Sequence, residues 1–195
     1  MGLVLVTAPT IEPVTVAEAK EHCRISGTDE DTYVATLIAA ARRVCETKAK
    51  QDFINRTWRL EMEYFQQNND GGICIPRPPL SSVTHVKYYD TANTLQTVSS
   101  SNYQVNAGAF VGEVCPIASY VWPAVYPERF DAVQVTFVSG YGATASTVPE
   151  TFRLAIMMLA AHFYEHRETV SDMQAYKVPM AIDSLIAAEG RVEVY

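Results

Sequence analysis

The string His162-Phe163-Tyr164-Glu165-His166 is the part of this sequence that comes nearest to a catalytic motif. It matches H-x-x-E-H, the inverted zincin pattern. Two histidines four residues apart share one helical face, the spacing that zinc ligands require. Against that reading, no third ligand is evident, and the segment is crowded with Met and Phe. Arg167 and Glu168 follow directly, so the string also fits a charged helix end where cationic side chains suit the dipole. Short motifs of this kind recur by chance. Ser and Asp residues are scattered without a nucleophile elbow. The acids Asp29, Glu30 and Asp31 read as helix-start residues rather than paired catalytic carboxylates. Neither G-x-x-x-x-G-K-[ST] nor G-x-G-x-x-G occurs, which leaves phosphate cradling without support. Cys23, Cys45, Cys74 and Cys115 are scattered, form no C-x-x-C pair and read as free thiols in a reducing cytosol. The residues thus point to no catalytic group, no metal and no cofactor. A zinc-dependent hydrolase using His162, Glu165 and His166 stands as the enzymatic alternative.

Composition narrows the field further. The 195 residues fit one domain, or one core with a substantial insert. A hydrophobic content of 48 % supports a real core and argues against disorder. No apolar run approaches bilayer-spanning length, so no membrane partner is expected. The opening MGLVLVTAPTIEP lacks a basic start and a cleavage site, and reads as a strand or arm rather than a signal peptide. The formal charge of −7 disfavours wrapping of DNA, because phosphate binding needs concentrated Lys and Arg. A protein that lets DNA slide past tolerates that sign.

The elements that must position these residues form two helical blocks around a run of short strands. Thr15-Val16-Ala17-Glu18 is a capping box and predicts a helix from about Val16 to before Gly27. Thr28, followed by three acids, predicts a second N-terminus. Tyr33, Val34, Leu37, Ile38, Ala41, Val44 and Cys45 then make one apolar stripe. Arg42, Arg43, Glu46 and Lys50 occupy the other face, read as a solvated surface. Pro149 and Glu150 open a helix that is apolar nearly all round, so it is central in a core or covered by a neighbouring subunit. Leu37, Ile38, Leu154 and Leu159 are expected to cover one another. A short last helix is predicted from Pro179 to about Ala188, ended by Gly190.

Between the blocks, Trp58 to Tyr64 alternates strictly. Asn68 to Gly72 is a turn, and Pro76-Arg77-Pro78-Pro79 cannot continue a central strand. Ile73–Ile75, Val83–Tyr89, Leu95–Val98, Tyr103–Val105, Val111–Val114 and Val133–Val138 read as further strands. Tyr120 to Pro127 reads as an ordered aromatic loop. The fold class is α+β, a bundle of about four helices interrupted by a β-rich antiparallel insertion. Its parts are residues 1–56 (arm and helical core), 57–146 (insertion), 147–189 (helical core) and 190–195 (tail).

In this order the motifs resemble one family. P-V-T-V-A-E-A-K and then D-x-x-Y-V-A-T-L-I-A-A-A-R are similar to the start of tailed-phage head–tail connector (adaptor, or head-completion) proteins. Thr57-Trp58, I-P-R-P-P-L-x-S-V from Ile75 to Val83, and V-x-V-T-F-V-S-G-Y-G from Val133 to Gly142 agree with it. V-P-E-x-x-R-x-A-I-x-x-L-x-A-H-x-Y-E-x-R, from Val148 to Arg167, is the most specific block. The resemblance spans Pro13 to Ile186 and departs at Thr47 to Asp52, where the family has a T-G-R-like stretch. It implies a structural virion protein without catalysis, in which the H-x-x-E-H string is structural. It implies a ring of copies, twelve-fold on the portal, that docks after DNA packaging, extends the DNA channel and presents a platform to the stopper or tail-completion protein. Genomic DNA passes through without sequence-specific binding. The site is the head–tail joint of a virion assembled in a bacterial host's cytoplasm. The resemblance also implies that the C-terminal tail, Arg191, Val192, Glu193, Val194 and Tyr195, grips the portal. A tail-completion protein on the other side of the joint is the structural alternative.

Overall fold

Local caps and breakers set where the elements begin and end in the computed structural model, which describes residues 1–66, 71–166 and 180–189. Thr15 closes a full capping box with Glu18 and starts helix α1 (Val16–Cys23). Arg24, in the left-handed region at φ 55°, ends it. Helix α2 (Asp31–Ala49) starts two residues later than Thr28 and the acids suggested. Glu30 is its N-cap and makes no side-chain cap bond. Thr28 instead offers its carbonyl to the Asp31 N–H, at 3.2 Å. Pro149 is the N-cap of α3 (Glu150–Glu165), and α4 spans Met180–Ala188.

The chain divides into two compact units, Met1–Pro9 with Asn55–Tyr141, and Thr10–Ile54 with Gly142–Tyr195. Among the described residues, the first holds eight strands: β1 (Gly2–Thr7), β2 (Arg56–Met62), β3 (Ile73–Ile75), β4 (Leu80–Tyr89), β5 (Leu95–Val98), β6 (Tyr103–Asn106), β7 (Gly112–Pro116) and β8 (Val133–Ser139). One sheet has the order β1-β2-β8-β4-β5 and the other β3-β7-β6, antiparallel throughout. Alternation along β2 turns Leu60 and Met62 inward beside Val133, Val135 and Phe137 of β8, which gives the two sheets one shared core. Gly112 marks a close approach between them: a Cβ there would lie 2.4 Å from Leu80 Cδ2.

The aromatic loop is anchored by the same core. Trp122 stacks on Phe65 with centroids 4.7 Å apart, and its indole N–H donates to the Gly71 carbonyl at 3.2 Å. Of the turn read at Asn68 to Gly72, residues 68–70 lie outside the described residues, as do Gly190 and the tail 191–195.

In the helical unit α3 lies against α1, α2 and α4. Its buried face is Phe152, Ala155, Ile156, Leu159 and Ala160. From α2, Val34, Ile38, Ala41 and Cys45 are buried. Leu154 does not join them. It is 39 % exposed, because residues 154 and 155 fall on different sides of a helix whose inner stripe follows the 152-155-156-159 spacing. Leu159→Ala is expected to cost about 2–5 kcal/mol in a denaturant titration, whereas a loss of less than about half a kcal/mol would contradict its burial.

The polar face assigned to α2 needs correction. Arg43 and Lys50 are exposed, but Arg42 and Glu46 are only 6 % and 2 % exposed. They are buried as a network. Arg42 donates to Glu12 at 2.6 and 3.1 Å and to Glu46 at 2.9 Å, and Glu46 also accepts the Phe53 N–H at 3.1 Å. Burial opposes the guanidinium charge, but the two carboxylates outweigh it and raise the Arg42 pKa. A charge run one turn apart reads as solvated until another segment folds over it, and here residues 12 and 53 do so.

Candidate functional site

A cleft of about 630 Å³ lies between α1 and α3 in the helical unit. Leu154 and Met157 give it an apolar part, while Glu18, Glu21, Glu150, His22, Thr151 and Arg153 supply its polar lining. Glu18, Thr151 and Arg153 are already committed to holding the helices. Glu18 accepts from the Thr15 N–H and hydroxyl, both at 2.8 Å, which follows from the Thr-x-x-Glu spacing. Arg153 donates to the Pro13 carbonyl at 3.0 Å and to Glu18. Thr151 donates to Glu189 at 2.8 Å. The cleft thus sets a bonded Glu18 and Arg153 beside apolar surface, without a nucleophile set against a base. The Arg153 clamp could not be read from the sequence, since its partners lie some 140 residues away in the chain.

The Glu18 carboxyl is held below its ordinary value of 4.5, first by the Thr15 N–H, then by the Thr15 hydroxyl, with the Arg153 charge adding to them. A depressed carboxyl contributes stability that is full above its unfolded value and is lost as pH falls through the folded one. Glu18→Gln should therefore be less stable than the wild type at neutral pH, and the gap should narrow as pH drops below that of an ordinary carboxyl. A gap that stays constant through acid titration by far-UV circular dichroism would show that Glu18 plays no such part.

The H-x-x-E-H string forms the end of α3. His162 and His166 lie on one face with ring centroids 4.4 Å apart, as their spacing requires. His166 Nδ1 lies 3.0 Å from the His162 carbonyl oxygen, and the His166 backbone N–H donates to the same oxygen at 3.1 Å. The carbonyl thus draws His166 back onto its own helix end, a capping arrangement. Among the described residues no three His, Cys, Asp or Glu side chains come together that could hold a metal ion. The α2 acids are structural too. Asp31 pairs with Lys20, and the Tyr164 hydroxyl donates to Glu30.

No described cysteine is bonded to another. Burial pushes the Cys45 thiol up to about 12, and burial with the Glu165 charge raises that of Cys23. Neither is a thiolate at neutral pH. No helix among the described residues is long and apolar enough to cross a membrane.

None of the curated proteins matches the chain. Three solved structures share its fold. A chain of the neck of an empty gene transfer agent particle, computed with C6 symmetry, has a TM-score of 0.81 at 23 % identity. One from the virion of a native gene transfer agent particle has 0.79 at 24 %, and one from the neck of the native particle, computed with C12 symmetry, 0.75 at 22 %. Each likeness covers 100 % of this chain and 98 % of the other. The family model described as head completion protein matches residues 12–176, which includes segments of both units, helices α1 to α3 and strands β2 to β8. The chain belongs to the head completion protein family.

Proposed function

We propose that this chain is a structural head–tail connector of a phage-like particle, a ring-forming adaptor in the neck. The observation that carries this reading is the family match over residues 12–176. The full-length likeness to chains of gene transfer agent necks supports it. In this role copies of the chain form a ring on the portal, twelve to a ring, extend the DNA channel and offer a platform to the stopper or the tail-completion protein. Assembly takes place in the host cytoplasm, and the product resides in the virion. No catalysis is required, and the bonded acids and protonated thiols described above suit a protein that performs none.

The net charge of −7 fits a conduit. DNA passes a neutral or acidic lumen without being held, because no counterions are released by phosphate contacts. The tail, Arg191 to Tyr195, alternates and can add a strand to an exposed sheet edge of the portal, with Val192 and Val194 facing the partner.

Electron microscopy of the chain mixed with portal rings provides the test. The expected result is an added ring of density on the portal, lost when residues 191–195 are deleted from a chain that still folds. Density confined to isolated tails would favour the tail-completion reading. Absence of density on either would overturn the connector role.

A further inference from the structure

Strand β1 is an edge of the five-stranded sheet, and among the described residues no strand other than β2 pairs with it. All six of its residues are exposed, and Leu3, Val4, Leu5 and Val6 lie between 36 % and 51 % exposed. Gly2 to Thr7 contains no charge and no proline, the residues that usually blunt a free edge. A register shift between Leu5 and Thr7 bends its end, but Gly2 to Leu5 pair regularly with β2. Leu3 sits opposite Leu60 and Leu5 opposite Trp58. They therefore continue the inner face on which Leu60 is fully buried. They stay uncovered because a three-stranded sheet faces a five-stranded one.

The opposite edge of the same sheet is β5. It too is uncharged, and Leu95, Gln96 and Thr97 are exposed. Beside the β4–β5 turn stands a further apolar group. Arg129 bonds Asn93 in that turn at 3.3 Å and lies over the Tyr89 ring at 3.6 Å, and the next residue, Phe130, is 84 % exposed.

We infer that neighbouring copies of this chain join head to tail through these two edges, β1 of one copy pairing with β5 of the next. The inference rests on the ring reading above. A cyclic ring needs two different patches on each copy that fit each other, and two opposite edges of one sheet meet that need. Each pair in the order β1-β2-β8-β4-β5 is antiparallel, so β1 and β5 run in the same direction. A junction that keeps the inner face inside is then a parallel pair. Leu3 and Leu5 come beside Gln96 and Val98 of the next copy, and Val4 comes beside Leu95 and Thr97. Pairing β1 with β1 of a second copy would instead give a closed two-fold dimer.

The test uses particles made in cells whose chain carries a photoreactive benzoylphenylalanine at Val4, with a second version carrying it at Leu95. Irradiation should link two copies, and mass spectrometry should find the Val4 probe attached to the peptide holding residues 95–98 and the Leu95 probe attached to residues 2–7. Links to β1 of a second copy, to other proteins only, or no chain-to-chain link in particles that contain the chain would overturn the edge pairing and leave the ring standing. Particles lacking the wild-type chain altogether would overturn the ring reading, and the pairing with it. Leu3→Lys with Leu5→Lys provides an independent arm. Both side chains already meet water, so helix and sheet content should persist by circular dichroism while incorporation into particles is lost. Incorporation at wild-type occupancy would also refute the pairing.

Discussion

Arg42→Leu is expected to destabilise the helical unit by about 3–5 kcal/mol, because it takes the Arg42 cation from beside a buried carboxylate. Glu12 can turn to water, since its side chain is 31 % exposed, but Glu46 is 3 % exposed and cannot. Glu46 would keep the Phe53 N–H and lose the Arg42 guanidinium. Glutamine at position 46 keeps an acceptor for that N–H without the charge. Arg42→Met combined with Glu46→Gln should therefore recover most of the stability lost by Arg42→Leu alone. The two tryptophans, Trp58 and Trp122, both belong to the β-rich unit, so their fluorescence does not report this change. The ellipticity of the helices during urea unfolding does. A loss under about 1 kcal/mol, the range of a surface pair, would show that the network is solvated.

Phe152→Ala is expected to cost a further amount of the same size, about 3–5 kcal/mol. Phe152 is fully buried and stacks on Phe53, also fully buried, with centroids 4.4 Å apart and planes at 20°. Truncation removes the largest side chain of the inner stripe of α3 and opens a cavity beside a ring that cannot follow. Phe152→Leu keeps most of the volume and should cost clearly less. The site is not independent of Arg42. Glu46 holds the Phe53 backbone and Phe152 holds its ring, so the two losses should fall short of additive in the double variant. Equal stability of Phe152→Ala and the wild type under urea would refute the stacking as a source of cohesion.

Much of the fold follows from local rules that act within a few residues. The Thr15–Glu18 capping box starts α1 where it is predicted, because both partners lie within one turn. Alternation placed β2, since period two decides which side of a sheet a residue faces, and the strands read at Val83–Tyr89, Leu95–Val98 and Val133–Val138 fall within β4, β5 and β8. Proline at 149 marked the start of α3 for a similar reason. The α+β class and the four helices follow from these signals together, and the ordered blocks from Pro13 to Ile186 carried the family resemblance.

Tertiary structure decided what distant segments do to one another. Arg42 and Glu46 looked solvated because nothing near them in sequence could cover them, and residues 12 and 53 then did so. Leu154 looked like core because α3 is apolar nearly all round. Only the packing of α1, α2 and α4 chose which stripe of that helix went inside. The H-x-x-E-H string offered zinc spacing, but a metal site needs a third group from elsewhere in the fold, and none of the described residues supplies one. Gly2 to Thr7 offered β-forming residues without saying which face would stay bare. That depends on a five-stranded sheet outgrowing its three-stranded cover, a property of the whole sandwich that no single segment encodes.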